Sequence, residues 1–540
     1  MPSNAVNRRQ FLKSLSAGSL LLTLPTLSCS GKQDKKPNIL LIMGDDIGYS
    51  DIGCYGAEID TPNLDQLAEK GVRFTEFYNM SKCNPTRSSL FTGLYKGDER
   101  SLTFVDFLNQ AGYTTLMSGK EHFDSWVPDR CYAKNSFDES LTFWATTEYF
   151  IPPDGGFERP FYRNGKQIQP EDIKRQREPF YKTDVFTDYA LEWLDQALQV
   201  DNPFFLYLPY HSAHYPLQAR EEDIAKYRGT YRKGWDVIRQ QRFEYQKELG
   251  VIEQDCELSP PTDNINKFRG HPPGNEERRA VIPKYRPWDS LTEEEKDELD
   301  LEMAVFAAMI DRMDQNIGRV LQKLNDAGEL DNTLVIFLSD NGSCPYDSNR
   351  DFEHPPGGPA SYRCLCAAWA NVGNTPFKYF KQYGHEGGPH THFIAHWPGV
   401  IKENTLTHQP AHVIDIFPTI LDIIGAQYPE ENNGAPTIPL HGSSMLPIFK
   451  GDKRPEPEFL MSGFTERFRM YRRSDWKIVK VNAGDWELYN MENDPTELND
   501  LADEHPEKVK QLETKYRTFM NRLNENFDKY ETAKDENQGT

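Results

Sequence analysis

The chain has 540 residues, too many for one ordinary domain, so two domains or one very large domain with insertions is expected. A formal net charge of −22 argues against a nucleic-acid partner, which would favour a basic face. It does not exclude an anionic substrate, because a local cationic pocket can sit on an acidic body.

Residues 1–31 read as an export signal of bacterial type. Arg8-Arg9-Gln10-Phe11-Leu12-Lys13 resembles a twin-arginine motif and precedes a mildly apolar run, Leu15 to Leu27, too short and too polar for a membrane span. Thr26-Leu27-Ser28-Cys29 is an imperfect lipobox, with its Leu one place late, and makes Cys29 a candidate for lipid attachment. The expected location is the periplasm, or the membrane as an anchored lipoprotein.

Ile39-Leu40-Leu41-Ile42-Met43 is a short apolar run ending in Gly44-Asp45-Asp46 and predicts a buried strand. A helix over Asn63 to Lys70 follows the start signal Thr61-Pro62. Apolar residues at three- and four-residue spacing predict helices over Asp184 to Leu198 and Leu301 to Leu324. Phe204 to Leu208 is a second strand, ending at Pro209-Tyr210-His211; Leu334 to Leu338 is a third, ending at Ser339-Asp340-Asn341; Phe393 to Trp397 is a fourth. Gln218 to Ser290 is charged, Pro-rich in its second half and poor in apolar periods except over Trp235 to Leu249; it reads as an insertion, either a lid or a solvated surface excursion. Beyond about Pro455 come short strand-like runs, Phe459-Leu460-Met461, Phe468 to Tyr471, Trp476 to Lys480 and Trp486 to Tyr489, then a helix from about Pro506 to Leu523. The residues after Tyr530 read as an unstructured polar tail. Strands alternating with helices predict an α/β fold: a large, mixed but mostly parallel sheet flanked by helices over 37–455, with an insertion at about 218–290. A smaller α+β subdomain with an antiparallel sheet follows over 456–530, and a tail over 531–540.

Three of these strands are followed at once by polar or ionisable residues, and open α/β sheets build their sites beyond the carboxyl ends of strands. Asp45-Asp46 and Asp340-Asn341 would then converge. Adjacent carboxylates repel unless a cation is bound or one is protonated, and three carboxylates with an amide suit a hard cation, Ca²⁺ or Mg²⁺. Cys83-Asn84-Pro85-Thr86-Arg87, continuing through Leu90-Phe91-Thr92-Gly93, places a thiol where a helix could begin and four residues before a guanidinium. Both features favour a thiolate and an anionic ligand; the competing reading is a small core cysteine or a disulfide partner. Gly119-Lys120-Glu121-His122 offers an ammonium and an imidazole, His214-Tyr215-Pro216 an imidazole just after a strand, and Lys381 precedes Gly384-His385-Glu386-Gly387-Gly388. His211, His385, His390, His392 and His396 read as structural residues. The remaining cysteines, Cys54, Cys131, Cys256, Cys344, Cys364 and Cys366, are irregularly spaced, and Cys364-Leu365-Cys366 lacks the gap of a zinc ribbon or redox pair. One or two disulfides would suit an exported protein.

Taken in order, Asp45-Asp46, Cys83 to Gly93, Gly119-Lys120-x-His122, His214-Tyr215-Pro216, Ser339-Asp340-Asn341-Gly342 and Lys381-x-x-x-His385-Glu386-Gly387-Gly388 resemble the motifs of formylglycine-dependent sulfatases of the alkaline-phosphatase superfamily. The C-terminal run Arg472 to Lys477, then Glu487 to Pro495, also resembles the small domain of that family; the likeness spans roughly residues 37 to 525. The resemblance implies an alkaline-phosphatase-like fold and the following roles. Asp45, Asp46, Asp340 and Asn341 hold a divalent ion, usually Ca²⁺, with the side chain at position 83 beside it. Cys83 becomes formylglycine (3-oxoalanine) through a maturation enzyme, and its hydrate attacks sulfur. Arg87 orients the hydrate; Lys120, Lys381 and His122 bind sulfate oxygens; His214 protonates the leaving alcohol. The export signal favours a sulfated carbohydrate, such as a glycosaminoglycan, mucin-type or algal glycan.

Two departures bear on substrate. Glu121 stands where the family often has Trp, and Pro389-His390-Thr391-His392 stands where small apolar residues and a proline are usual, making His390, His392 and Arg363 weak candidates for substrate contact. The competing functions are a phosphonate or phosphate ester hydrolase of the same superfamily, and a non-catalytic lipoprotein that binds sulfated glycans with Cys83 unmodified.

Overall fold

The computed structural model describes residues 35–538 apart from 97–100, 124–135, 154, 156–158, 169–172, 174–179, 263–284, 347, 351, 433 and 463–467. The export-signal reading, Cys29, Cys131 and part of the 218–290 segment lie outside the described residues.

An eleven-stranded sheet organises the main body, in the order β10-β2-β9-β8-β1-β7-β3-β4-β5-β6, with β11 also on β2. Its strands are β1 (Asn38–Gly44), β2 (Val72–Tyr78), β3 (Thr114–Lys120), β4 (Glu139–Phe143), β5 (Phe161–Arg163), β6 (Lys166–Ile168), β7 (Phe204–Pro209), β8 (Thr333–Ser339), β9 (His390–His396), β10 (Thr405–Thr407) and β11 (Ala411–His412). β1 lies between β7 and β8, parallel to both, with Met43 opposite Pro209 and Leu338. β9 runs antiparallel between β8 and β2, so the sheet is mixed but mostly parallel.

The continuous apolar run of β1 follows from burial on both faces. Leu40 and Ile42 pack on one side with residues of the helices Lys182–Ala197 and Glu293–Asp326. Ile39, Leu41 and Met43 pack on the other with residues of the helices Phe104–Gln110 and Ile416–Ile424. The long helix Glu293–Asp326 starts with a capping box, Thr292 accepting from Glu295 N, and extends the expected Leu301–Leu324 at both ends.

The helix Trp235–Leu249 matches the apolar period read there. The described part of the 218–290 segment is packed rather than loose. Arg242 is buried and pairs with Asp51 at 2.7 Å and Glu58 at 2.8 Å, while Trp235, Trp288 and Trp369 meet edge to face.

After a two-residue ribbon of β12 (Glu431–Asn432) and β13 (Ala435–Pro436), a second, antiparallel sheet contains β14 (Leu460–Ser462), β15 (Phe468–Arg473), β16 (Trp476–Val481) and β17 (Trp486–Asn490) in sequential order. The last helix, Pro506–Gln538, lies against it through Tyr516, whose ring meets Tyr471 and Trp486. This helix corrects the reading of an unstructured tail after Tyr530. The Glu, Lys and Ala content of that stretch suits a helix, although its polarity suggested none. Among the described residues all six cysteines, Cys54, Cys83, Cys256, Cys344, Cys364 and Cys366, are free thiols. No described helix is long and apolar enough to cross a membrane.

Candidate active site

The carboxyl ends of β1, β7, β8 and β3 meet at one rim, and the sequence-predicted site residues gather there. Backbone bonds fix the strand ends to one another: Asp45 N donates to Ser212 O at 2.8 Å and Ala213 N to Asp45 O at 2.7 Å. Ile47 N donates to the Ser339 hydroxyl at 3.2 Å, and that hydroxyl donates to Asn341 O at 2.9 Å. Two glycines permit the close approach. A Cβ on Gly119 would sit 2.0 Å from the Pro209 carbonyl, at a φ of +142°, and one on Gly342 would sit 1.9 Å from the Gly387 carbonyl.

Cys83 is the first residue of the helix Cys83–Thr92, which Lys82 precedes in extended conformation. Arg87, one turn further, faces the same side of that helix. Its Nε and Nη2 both donate to Asp340 Oδ2, at 3.0 and 2.8 Å, and its Nη1 to the Lys120 carbonyl at 3.2 Å. Lys120 Nζ donates to Asp45 Oδ2 at 2.5 Å, Lys381 Nζ to Asp46 Oδ1 at 2.5 Å, and Asn341 Nδ2 to Asp46 Oδ1 at 2.7 Å. His214 donates from Nδ1 to its neighbour's carbonyl, Tyr215 O, at 2.7 Å, so Nε2 is the nitrogen that faces Asp46 Oδ2, at 3.5 Å. His122 is half-buried at φ +38°, its ring edge-on to Trp144, with Nδ1 buried and without a partner. Burial and the charges of Lys120 and Arg87 push His122 well below the ordinary imidazole value; burial, Lys120 and Lys381 do the same to His214.

The residues present fit a hard divalent cation. Asp45 Oδ1, Asp46 Oδ2 and Asn341 Oδ1 are buried acceptors with no donor among the described residues. One ligand atom each of Asp45, Cys83 and Asp340 lie within 4.8 Å of one another, as do those of Asp45, Asp46 and His214. Burial and the adjacent Asp45 push Asp340 up to about 7, and the charges of Arg87 and Lys120 only partly offset that crowding. Three carboxylates, Asp45, Asp46 and Asp340, are already matched by three cations, Arg87, Lys120 and Lys381. A divalent ion on the orphaned oxygens would leave a surplus of positive charge for an anionic substrate.

The other histidines divide. His385 pairs with Glu487 at 2.7 Å; His390 bonds Glu386 at 2.7 Å and Thr75 O at 2.6 Å; His392 stacks on Phe337. These are structural contacts. Arg363 pairs with Glu298 at 2.6 Å, and Glu121 accepts from Thr142 on the neighbouring strand. His211 alone of that set stacks against a site residue, His214, with ring centroids 5.0 Å apart. Sequence reading missed Lys182 and Tyr149, both in contact with His211; neither lies in a motif, and only the fold brings them together.

Comparison with known proteins identifies the family. Residues 37–426 match the family model described as Sulfatase, and residues 377–526 the model described as N-sulphoglucosamine sulphohydrolase, C-terminal. The chain is 31% identical to an uncharacterised sulfatase of Schizosaccharomyces pombe, over 89% of this chain and 92% of the relative. It is 29% identical to an arylsulfatase of Klebsiella aerogenes, over 77% and 92%. Among solved structures, Ps i-CgsB in complex with k-i-k-neocarrahexaose superimposes with a TM-score of 0.63 at 24% identity, covering 90% of this chain and 92% of the other. The phosphonate monoester hydrolase of Agrobacterium radiobacter shares the fold at a TM-score of 0.55 and 17% identity, over 90% and 96%. With one family model covering 390 contiguous residues and a relative above 30% identity over nearly the whole length, the chain belongs to the sulfatase family and is a sulfuric ester hydrolase.

Proposed function

We propose that the protein hydrolyses O-sulfate esters on carbohydrates, with Cys83 matured to formylglycine and a divalent cation, Ca²⁺ or alternatively Mg²⁺, held by Asp45, Asp46, Asp340 and Asn341. One observation carries the reading: Asp45, Asp340 and Cys83 bring ligand atoms within 4.8 Å of one another, Asp45, Asp46 and Asn341 each keep a buried oxygen without a donor among the described residues, and Arg87, Lys120 and Lys381 pair with the three carboxylates. The carbohydrate class rests on relatives named N-acetylglucosamine-6-O-sulfatase and N-acetylgalactosamine-6-O-sulfatase of Bacteroides thetaiotaomicron, each 24% identical to this chain.

The cation would supply charge to hold the nucleophilic oxygen in its ionised form. The aldehyde hydrate would supply that oxygen and a second hydroxyl through which sulfate can later be expelled. The chain's own residues do the rest. Arg87, pinned by Asp340 and the Lys120 carbonyl, stands over position 83 and offsets the charge of the hydrate. Lys120 and Lys381, held by Asp45 and Asp46, take non-bridging sulfate oxygens with His122. The His214 Nδ1 bond to the Tyr215 carbonyl leaves Nε2 for the leaving oxygen, and the ring gives up an Nε2 proton that it takes once the bound sulfate anion offsets the charges of Lys120 and Lys381.

The test uses the protein produced with a formylglycine-generating enzyme. Mass spectrometry of the Cys83 peptide should show the aldehyde, and defined sulfated mono- and disaccharides should release sulfate. Fully active protein carrying only an unmodified thiol refutes the nucleophile. Preferential release of phosphate or phosphonate from paired esters refutes the sulfate assignment, and binding without turnover in the aldehyde form makes the protein a lectin-like lipoprotein. Export with lipid attachment is a separate part of the proposal. Cys29→Ala should move the protein from the membrane to the soluble periplasmic fraction; unchanged membrane attachment refutes Cys29 as the anchor.

A further inference from the structure

Five rings stack in a column that ends at the site. Tyr181 lies 5.7 Å from Tyr149, Tyr149 lies 4.9 Å from His211, His211 lies 5.0 Å from His214, and His214 lies 4.2 Å from Tyr215. The Tyr149 hydroxyl donates to the His211 carbonyl at 2.5 Å and to the His214 carbonyl at 3.0 Å, and the Tyr181 hydroxyl to the Gln218 carbonyl at 3.0 Å. His211 is 1% exposed and cannot turn without breaking the stack.

Its two ring nitrogens are treated differently. Lys182 Nζ lies 2.8 Å from His211 Nδ1 and donates to Thr147 O at 2.7 Å. Burial pushes Lys182 well below its ordinary value. The ring faces of Phe143 and Tyr149, 4.5 and 4.4 Å from Nζ, and the nearby charge of Glu148 act to keep it an ammonium. An ammonium only donates, so Nδ1 of His211 is an acceptor and the proton of the neutral ring sits on Nε2. That Nε2–H is buried and has no acceptor among the described residues. A buried donor left unpaired is costly, and structures rarely keep one without a purpose. The nitrogens lie on opposite sides of the ring, so Nε2 turns away from Lys182. The charges of Lys120 and Arg87, both in the proposed sulfate seat, also disfavour a charge on this ring, as Lys182 and His214 do. A donor set among cations is completed by an anion.

We infer that His211 is a further substrate-contacting residue, whose Nε2–H, fixed by Lys182 and by the ring column, donates to an anionic oxygen of the bound ester. The inference rests on the sulfate-ester reading of the same pocket. It assigns Lys182 a positioning role, since that residue touches His211 and not substrate.

The experiment compares two replacements in the mature full-length enzyme. His211→Phe keeps the stack and deletes the donor; His211→Gln loses the stack but keeps an N–H near the Nε2 position. His211→Phe should lose about 10- to 100-fold in kcat/KM, the usual size of a hydrogen bond to a charged group, with weaker binding of inorganic sulfate, and His211→Gln should recover most of the loss. The opposite order, with Phe like wild type and Gln impaired, overturns the inference and leaves His211 a packing residue. Lys182→Met, which frees Nδ1, should show a loss like that of His211→Phe; an unchanged rate overturns the positioning role. Histidine-selective ¹⁵N spectra, with His211→Phe used to assign the ring, should report an Nε2–H tautomer; an Nδ1–H tautomer overturns the assignment. Inorganic sulfate binding is read without turnover. Wild type that neither binds sulfate nor cleaves sulfate esters refutes the functional reading, whereas wild type that does both while His211→Phe equals it refutes this inference alone.

Discussion

The loop that delivers Lys381 to Asp46 is held from behind by a buried ion cluster, and removing its cation should be expensive in a pH-dependent way. Lys477, on β16, contacts Glu386 Oε1 and lies 2.8 Å from Glu497 Oε1, with all three side chains no more than 1% exposed. Glu386 also accepts from Tyr78 Oη at 2.8 Å and from His390 Nδ1 at 2.7 Å, and its N–H donates to Glu497 at 2.9 Å. Lys477→Met strips two buried carboxylates of their shared cation, and breaking a buried pair costs about 3–5 kcal/mol. In the wild type, burial raises the Glu386 carboxyl but Lys477 and the His390 bond outweigh it, holding it well below its usual 4.5. Such a group adds stability above its unfolded value and loses it as pH falls through the folded value. Without Lys477 only His390 and Arg472 oppose burial, so the expected folded value moves up past the unfolded one and the variant loses stability as pH climbs through that window. The gap between the two proteins should therefore be widest near about pH 8 and narrow toward about pH 5. Urea unfolding at both pH values reads it, and adding Glu386→Gln to Lys477→Met should return part of the loss. A loss under about 1 kcal/mol, or an equal loss at both pH values, refutes the reasoning.

Two further outcomes test the site directly. His214→Ala should slow a sugar sulfate about 10²–10⁴-fold while slowing an activated aryl sulfate much less, because an aryl oxide leaves without a proton; equal losses would place His214 among the sulfate binders, with His122 next in line as the acid. Exhaustive chelation should abolish turnover and lower thermal stability, with Ca²⁺ or Mg²⁺ restoring both; a metal-free protein that keeps its rate contradicts the assignment of Asp45, Asp46, Asp340 and Asn341.

The sequence exposes the metal and sulfate residues because of where the apolar runs stop. β1 and β8 are buried on both faces, so their side chains give no alternation, only unbroken runs whose first ionisable residues, Asp45-Asp46 and Asp340, must lie at the rim. β3 escapes the same reading. Thr-Thr-Leu-Met-Ser-Gly-Lys is nearly all buried yet half polar, and its hydroxyls are satisfied locally: Ser118 donates to Phe186 O at 2.7 Å, and Thr115 to Asn109 at 3.1 Å and Asp138 at 3.2 Å. Polar side chains that find partners inside leave no apolar signature, so the strand carrying Lys120 is visible only in three dimensions. The expected start of β9 at Phe393 falls three residues late for a related reason, since His390, Thr391 and His392 are buried there against Glu386, Asn79 and Phe337.

The histidines show the limit most sharply. By residue type and spacing, His211, His385, His390 and His392 are equivalent, and one structural reading covered them all. What separates His211 is not its own sequence context but Lys182, 29 positions earlier and at the first turn of a helix, which occupies one ring nitrogen and leaves the other buried without a partner among the described residues. A partner that far away in the chain leaves no trace in spacing or composition. A donor left unpaired in a pocket built for an anion is a property of the assembled fold, which is why substrate contacts of this kind emerge from the structure after the motifs have been read.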